Sequence, residues 1–305
     1  MTTVNPIQTE INSVIALFSN GQIQEALGAV EALIKVYPND SLLFNISGAC
    51  YAGLGQFDAA VKYYEKAIAI NPDYSKAHFN LGCTFQELGQ LDASAKSFEK
   101  VLVIEPDYAE AHNNLGIALK DLRQLDASIK SFEKAIAIKP DYVEAHYSLG
   151  TSLQELGQLE EAVKSYEAVL VIKPDLAEIH NNLGVILNKL NQKDAALKSL
   201  ERAVAIKPDY AEAHFNLGDT LRELGQLETA IKSYEKVIAI KPDYADAYNN
   251  LGIAHMDLGQ RDKAVKSYEK ALAINPNFAE AHNNLGNVLK TLGQFDAAIK
   301  NYEKV

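Results

Sequence analysis

The chain of 305 residues has no tryptophan and only two cysteines, Cys50 and Cys83. Two thiols exclude a disulfide framework and suit a reducing compartment, so a cytoplasmic location is expected. No apolar run approaches the roughly 20 residues that span a bilayer, which argues against a membrane partner. Met1 to Asn20 lacks a basic stretch followed by an apolar one, so no signal peptide is expected, and the Asn-X-Ser sequons at Asn39 and Asn45 carry little weight. Cations are the scarcer charge: 29 Lys and Arg against 40 Asp and Glu give a formal charge of -11. That excludes phosphate-backbone binding, which needs clustered Lys and Arg, and so excludes nucleic acid as a partner. It favours a neutral or basic protein or peptide. Phosphate loops, nucleophile elbows, zinc helices and paired catalytic carboxylates are missing too, so no catalytic residue, cofactor or metal is expected.

Proline is rare, but its placement is regular. Pro38, Pro72, Pro106, Pro140, Pro174, Pro208, Pro242 and Pro276 fall 34 residues apart, and glycines from Gly48 to Gly286 keep the same step. The period defines repeats at 7–40, 41–74, 75–108, 109–142, 143–176, 177–210, 211–244 and 245–278, with a partial ninth at 279–305. In 109–142, Leu115, Ala118, Leu119 and Leu122 share one helical face, and Ile129, Phe132, Ala135 and Ile136 share another. Gln124, Leu125 and Asp126 make the turn between them, with Asp126 expected to cap the second helix. Pro140 ends that helix, because proline lacks an N–H and clashes with the preceding turn. Gly116 is expected to let two helices approach closely, whereas Gly55, Gly89, Gly157, Gly225, Gly259 and Gly293 suit a left-handed terminator between helices. Arg123 and Asn191 replace that terminator in two repeats, and the Arg123 turn is expected to adjust locally. A helix pair of this size cannot bury its face alone. Stacking neighbours supply the core, so residues 1–305 read as one all-α array of about 18 helices.

The pattern resembles the tetratricopeptide-repeat (TPR) family over residues 7–305. In repeat 211–244 the matching residues are Leu217, Gly218, Leu221, Gly225, Ala230, Tyr234 and Pro242. The resemblance implies a right-handed α/α superhelix, a solenoid whose first helices line a concave groove for peptides or extended segments, with partner recognition rather than chemistry as its role. The family's first-helix tryptophan is replaced by histidine in most repeats. The groove pattern is similar to the repeat region of O-linked N-acetylglucosamine transferase, which carries an asparagine ladder. The matching positions are Asn80, Asn114, Asn182, Asn216, Asn250 and Asn284, interrupted at Ile46 and Ser148. An acid stands four residues earlier in the repeats from Asn114 on, Ser148 included, at Glu110, Glu144, Glu178, Glu212, Asp246 and Glu280. The carboxylate clamp of the family's co-chaperone branch is not matched, since only Lys76 supplies the needed charge.

Asparagine offers two donors and two acceptor sites, so the ladder is a candidate for holding a peptide backbone. The alternative is a solvated consensus residue. The residue before the ladder reads Phe79, Asn113, Tyr147, Asn181, Phe215, Asn249 and Asn283, an alternation that reads as a duplicated two-repeat unit. Phe79, Tyr147 and Phe215 are candidate aromatic anchors whose loss should weaken binding without lowering stability; a duplication trace is the alternative. In the first repeats, Ile11, Ile15, Phe18, Leu42 and Ile46 form an apolar patch, expected to be covered by Met1–Pro6 or to drive self-association. His78, His112, His146, His180, His214 and His282 recur one per repeat, which does not make a metal site. Cys50 and Cys83 are expected to be buried, inert thiols. The Lys and Glu residues of the second helices read as a solvated face. The chain ends at Val305 inside a second helix, so a fragment, or an end that stacks on another molecule, is expected. Three readings follow: a peptide-binding scaffold, the substrate-recruiting arm of a glycosyltransferase- or sulfotransferase-like enzyme continuing beyond Val305, and a self-assembling solenoid with homo-oligomer contacts through the array ends.

Overall fold

The computed structural model describes residues 6–305, and among them every element is an α-helix. The contacts divide the chain into two compact units, Met1–Gly157 and Gln158–Val305. The first contains α1 (Pro6–Ser19), α2 (Ile23–Val36), α3 (Ser41–Gly53), α4 (Phe57–Ile70), α5 (Ser75–Glu87), α6 (Leu91–Ile104), α7 (Ala109–Asp121), α8 (Leu125–Ile138) and α9 (Val143–Leu156). The second contains α10 (Leu159–Ile172), α11 (Ala177–Lys189), α12 (Lys193–Ile206), α13 (Ala211–Glu223), α14 (Leu227–Ile240), α15 (Ala245–Asp257), α16 (Arg261–Ile274), α17 (Ala279–Thr291) and α18 (Phe295–Tyr302). The eighteen helices follow the 34-residue period read from the sequence. Within each unit, consecutive helices pack on one another. First helices of successive repeats also touch, as α3 does α5 and α11 does α13.

The glycine inside first helices α3, α5, α7, α11, α13, α15 and α17 makes room for one large side chain of the partner helix. A Cβ added at Gly116 would stand 2.6 Å from Phe132 Cε1, and one at Gly218 would stand 2.6 Å from Tyr234 Cε1. Phe132 and Tyr234 are fully buried as a result. The close approach is thus of a ring against a bare backbone, and Gly184 serves Leu200 in the same way.

The turns close by the left-handed terminator that the sequence predicts, and Gly21 supplies one more of them at φ +80°. Arg123 departs from expectation. Its turn does not adjust: φ stays at +62°, and Arg123 N–H donates to Lys120 O at 2.9 Å as Gly89 N–H does to Gln86 O. The fixed register of the two flanking helices outweighs the roughly 1 kcal/mol cost of a left-handed non-glycine residue. Asn191 holds the same conformation at φ +58°. Asp126 also differs from expectation. Gln124 occupies the cap position of α8 without a side-chain bond, and Asp126 lies inside the first turn, where its charge complements the positive helix end. Asp40 does cap a helix, accepting from Leu42 N–H at 2.9 Å at the start of α3.

Candidate functional site

Three- and four-residue spacing puts Glu212, Phe215, Asn216, Asp219, Arg222 and Glu223 on one face of α13. Equivalent residues share the corresponding face of every first helix. Because first helices of neighbouring repeats touch, these faces adjoin within each unit.

The ladder asparagines are half-buried, and in both units their amides bond to the preceding first helix. Asn80 Nδ2 donates to Asn45 Oδ1 at 3.0 Å, Asn216 Nδ2 to Asn181 Oδ1 at 2.9 Å, and Asn284 Nδ2 to Asn249 Oδ1 at 3.1 Å. In each case the acceptor lies 35 residues back. Where that position is aromatic, the amide turns to the residue 31 back. Asn114 Nδ2 faces Cys83 Sγ at 3.7 Å, and Asn250 Nδ2 donates to Asp219 Oδ1 at 2.8 Å. The two-repeat alternation seen in sequence is therefore an alternation of inter-helix bonds. Asn45 extends it by one repeat. Asn182 is half-buried on α11.

The aromatic candidates divide. Phe79 is half-buried, stacked on Tyr108 with centroids 5.1 Å apart and set edge-on to Phe98 at 5.6 Å. Phe215 repeats this against Tyr244 and Tyr234 at 5.3 and 6.1 Å. Both rings hold one repeat to the next, so the expectation that their loss spares stability does not fit their packing. Tyr147 is 39% exposed.

The acids also differ from one another. Glu178 accepts from Lys207 Nζ at 3.3 Å, and its carboxyl is held below the usual range by its own backbone N–H and then by Lys207. Glu110 lies 3.8 Å from Lys139 Nζ, and Glu280 accepts from Asn249 Nδ2 at 3.1 Å. Glu144, Glu212 and Asp246 are exposed.

One arrangement on this face was not anticipated from sequence. Asp219 Oδ1 accepts from Tyr234 O–H at 2.6 Å as well as from Asn250. Burial pushes the Asp219 carboxyl up, opposed by those two bonds and by Arg222. Arg222 Nη1 lies 3.9 Å from Asp257. The signal was available: the other residues of this column, Ala49, Cys83, Ile117, Thr151, Val185, Ile253 and Asn287, are all uncharged.

The N-terminal patch is smaller than expected. Ile11 and Ile46 are buried in a core with Val14, Leu27, Val30 and Leu43, so they offer no surface. Phe18 and Leu42 are half-buried against that core, and Ile15 is 43% exposed. The expected cover by Met1–Pro6 falls on Met1–Asn5, which lie outside the described residues.

The histidines have a turn role. His78 Nε2 donates to Pro72 O at 2.9 Å, His112 to Pro106 O at 2.9 Å, and His214 to Pro208 O at 3.0 Å, each tying a first helix to the proline turn before it. Among the described residues no group of three or more His, Cys, Asp or Glu is placed to hold a metal ion. Cys50 is buried and its thiol is pushed up to about 11; Cys83 is half-buried and also raised by burial. No described helix is long and apolar enough to cross a membrane.

A family model described as TPR repeat matches residues 48–89, 84–122, 120–157, 152–191, 184–221, 218–259 and 254–293. No curated protein matches. Among solved structures, the chain is similar to YrrB, titled a TPR protein with an unusual peptide-binding site, at 27% identity and a TM-score of 0.56 over 61% of this chain and 96% of that one. It is also similar to a MamA protein at 31% identity and a TM-score of 0.54 over 56% of this chain and 94% of that one. The Cut9 and Hcn1 hetero-tetramer structure shares the fold at 15% identity, with a TM-score of 0.52 over 94% of this chain.

Proposed function

Because this chain belongs to the TPR repeat family, we propose that it is a non-catalytic interaction scaffold whose first-helix faces form a groove for an extended protein segment, neutral or basic in charge. The uninterrupted 34-residue period supports reading residues 1–305 as one array. The observation that carries the binding role is the line of half-buried amides and exposed carboxylates along touching first helices. It is a polar strip that a solvent-facing structural surface has no need to build. Asn80, Asn114, Asn216, Asn250 and Asn284 each direct one amide donor to the preceding first helix and retain acceptor capacity for a backbone N–H. Similarity to YrrB, whose title names a peptide-binding site, supports the same reading. Tyr147 is the aromatic candidate with the most open ring, and Phe79 and Phe215 would contribute only their outer edges. The likeness of the ladder to glycosyltransferase repeats belongs to this proposal, as does a role as the recruiting arm of a larger enzyme.

The test is capture from a library of extended peptides by the wild-type chain and by an Asn80/Asn114/Asn182/Asn216→Ala variant, with helical melting followed for both. Capture that falls while the variant remains helical supports the ladder as the binding element. Equal capture refutes it. Self-assembly is the second reading, favoured by the exposed Ile15 beside Phe18 and Leu42. Light scattering across a concentration series would show a mass that rises with concentration and reverts with Ile15→Ser.

A further inference from the structure

We infer that the segment bound by the second unit is cationic, and that Asp219 is the specificity-determining residue that pairs with its Lys or Arg side chain. The inference rests on the groove reading above and adds the chemistry of the ligand.

Internal pairing leaves acids in excess on this face. The ladder faces of α11, α13, α15 and α17 carry Glu178, Glu212, Asp219, Glu223, Asp246, Asp257 and Glu280 against Lys189, Arg222 and Lys290. Glu178 is paired with Lys207, Glu223 with Lys193 at 3.0 Å, and Asp257 with Arg222. Among the described residues Glu212, Asp246 and Glu280 are in no such pair, and Asp219 lies in the field of Arg222 without a direct ion pair to it. Lys189 stands in the last turn of α11, at the opposite helix end from Glu178 and its equivalents Glu212 and Asp246.

The amides of Asn216, Asn250 and Asn284 each direct a donor backward to the preceding helix. For Asn250 the acceptor is a carboxylate, so the orientation of its amide is unambiguous. Each of these bonds commits one N–H, and the amide oxygens of Asn216 and Asn284 keep acceptor capacity for a ligand N–H.

Tyr234, fully buried, fixes Asp219 Oδ1 from below through its hydroxyl, and Asn250 fixes it from the side. Both bonds fall on Oδ1, which leaves Oδ2 outside them on a half-buried residue of the ladder face. Every other repeat places an uncharged residue in this column. Keeping a half-buried carboxylate there opposes folding, as burial raising its proton affinity shows, and a bound cation would offset that cost.

The experiment uses the full chain and three synthetic Gly/Ser peptides that differ only in carrying spaced Lys, Gln or Glu, titrated calorimetrically. The Lys peptide should bind about ten-fold more tightly than the Gln peptide, and the Glu peptide least. Asp219→Asn, which keeps an acceptor oxygen for Tyr234 and Asn250, should remove most of the Lys–Gln gap. If Asp219→Asn loses its helical signal, Asp219→Thr replaces it, since Thr151 already fills the same column. Equal binding of Lys and Gln peptides, or a gap untouched by the variant, overturns the inference while the groove reading stands. If none of the three peptides binds, both fall.

Discussion

At the residue scale, the two glycine environments inside helices make opposite predictions. Gly116→Ala drives a Cβ to 2.6 Å from the fully buried Phe132 ring, which has no free space to move into. Overpacking of this kind costs about 1–3 kcal/mol and outweighs the roughly 1 kcal/mol that alanine gains in a helix. Gly28, inside α2, meets nothing within 4 Å, so Gly28→Ala should stabilise by about 0.5–1 kcal/mol. Urea denaturation of the two variants should move the midpoint in opposite directions, and parallel shifts would contradict the packing argument. Asp219 gives the pH counterpart. Its folded pKa lies above its unfolded one because of burial, so its favourable contribution is present below the ordinary aspartate value and is lost as pH rises through the folded value. Asp219→Asn should therefore raise the melting temperature at neutral pH, with the advantage vanishing below the ordinary aspartate value of about 4. An advantage that persists unchanged into acid would mean that something other than the carboxylate's charge is responsible.

At the scale of elements, the helices and their turns were legible because they depend on neighbours a few residues away. Proline, the left-handed glycines and the apolar spacing each mark a boundary from local chemistry alone. Even the left-handed Arg123 follows from its register, although its turn was expected to yield and did not. The pairing of first helices was not legible. Whether Asn114 reaches back 35 residues or 31 depends on the stagger of α5 against α7 and on Phe79 occupying the nearer place. The same limit made Phe79 look like a ligand anchor, since a half-buried ring on a polar face reads identically whether a ligand or a tyrosine covers it. Asp219 was missed for the opposite reason. Its column could be compared across repeats, but its bond from Tyr234 crosses between helices. Phe79→Ala should cost about 2–3 kcal/mol, from lost burial and the lost stack on Tyr108. Differential scanning calorimetry would show it as a lowered melting temperature, and an unchanged melt would return Phe79 to the role of an uncommitted surface ring.

At the scale of the molecule, the period distributes charge as regularly as it distributes structure. A formal charge of -11 places a negative field around a first-helix face whose acids in the second unit outnumber its cations. A field of that kind acts on approach more than on the finished contact. At physiological ionic strength it is screened beyond about 8 Å, so it concentrates a basic segment near the face but cannot hold it. Holding falls to short-range bonds, meaning amide acceptors for the backbone and Asp219 for a side chain, and those sit too close to their partners to be screened strongly. Association and dissociation should therefore respond differently to salt. For the Lys peptide in stopped-flow mixing, raising sodium chloride should slow association several-fold and leave dissociation nearly unchanged. Asp219→Asn should do the reverse, speeding dissociation with little effect on association. If both perturbations acted on the same rate constant, the separation between a steering field and a reading residue would be wrong, and Asp219 would be only one more contributor to the net charge.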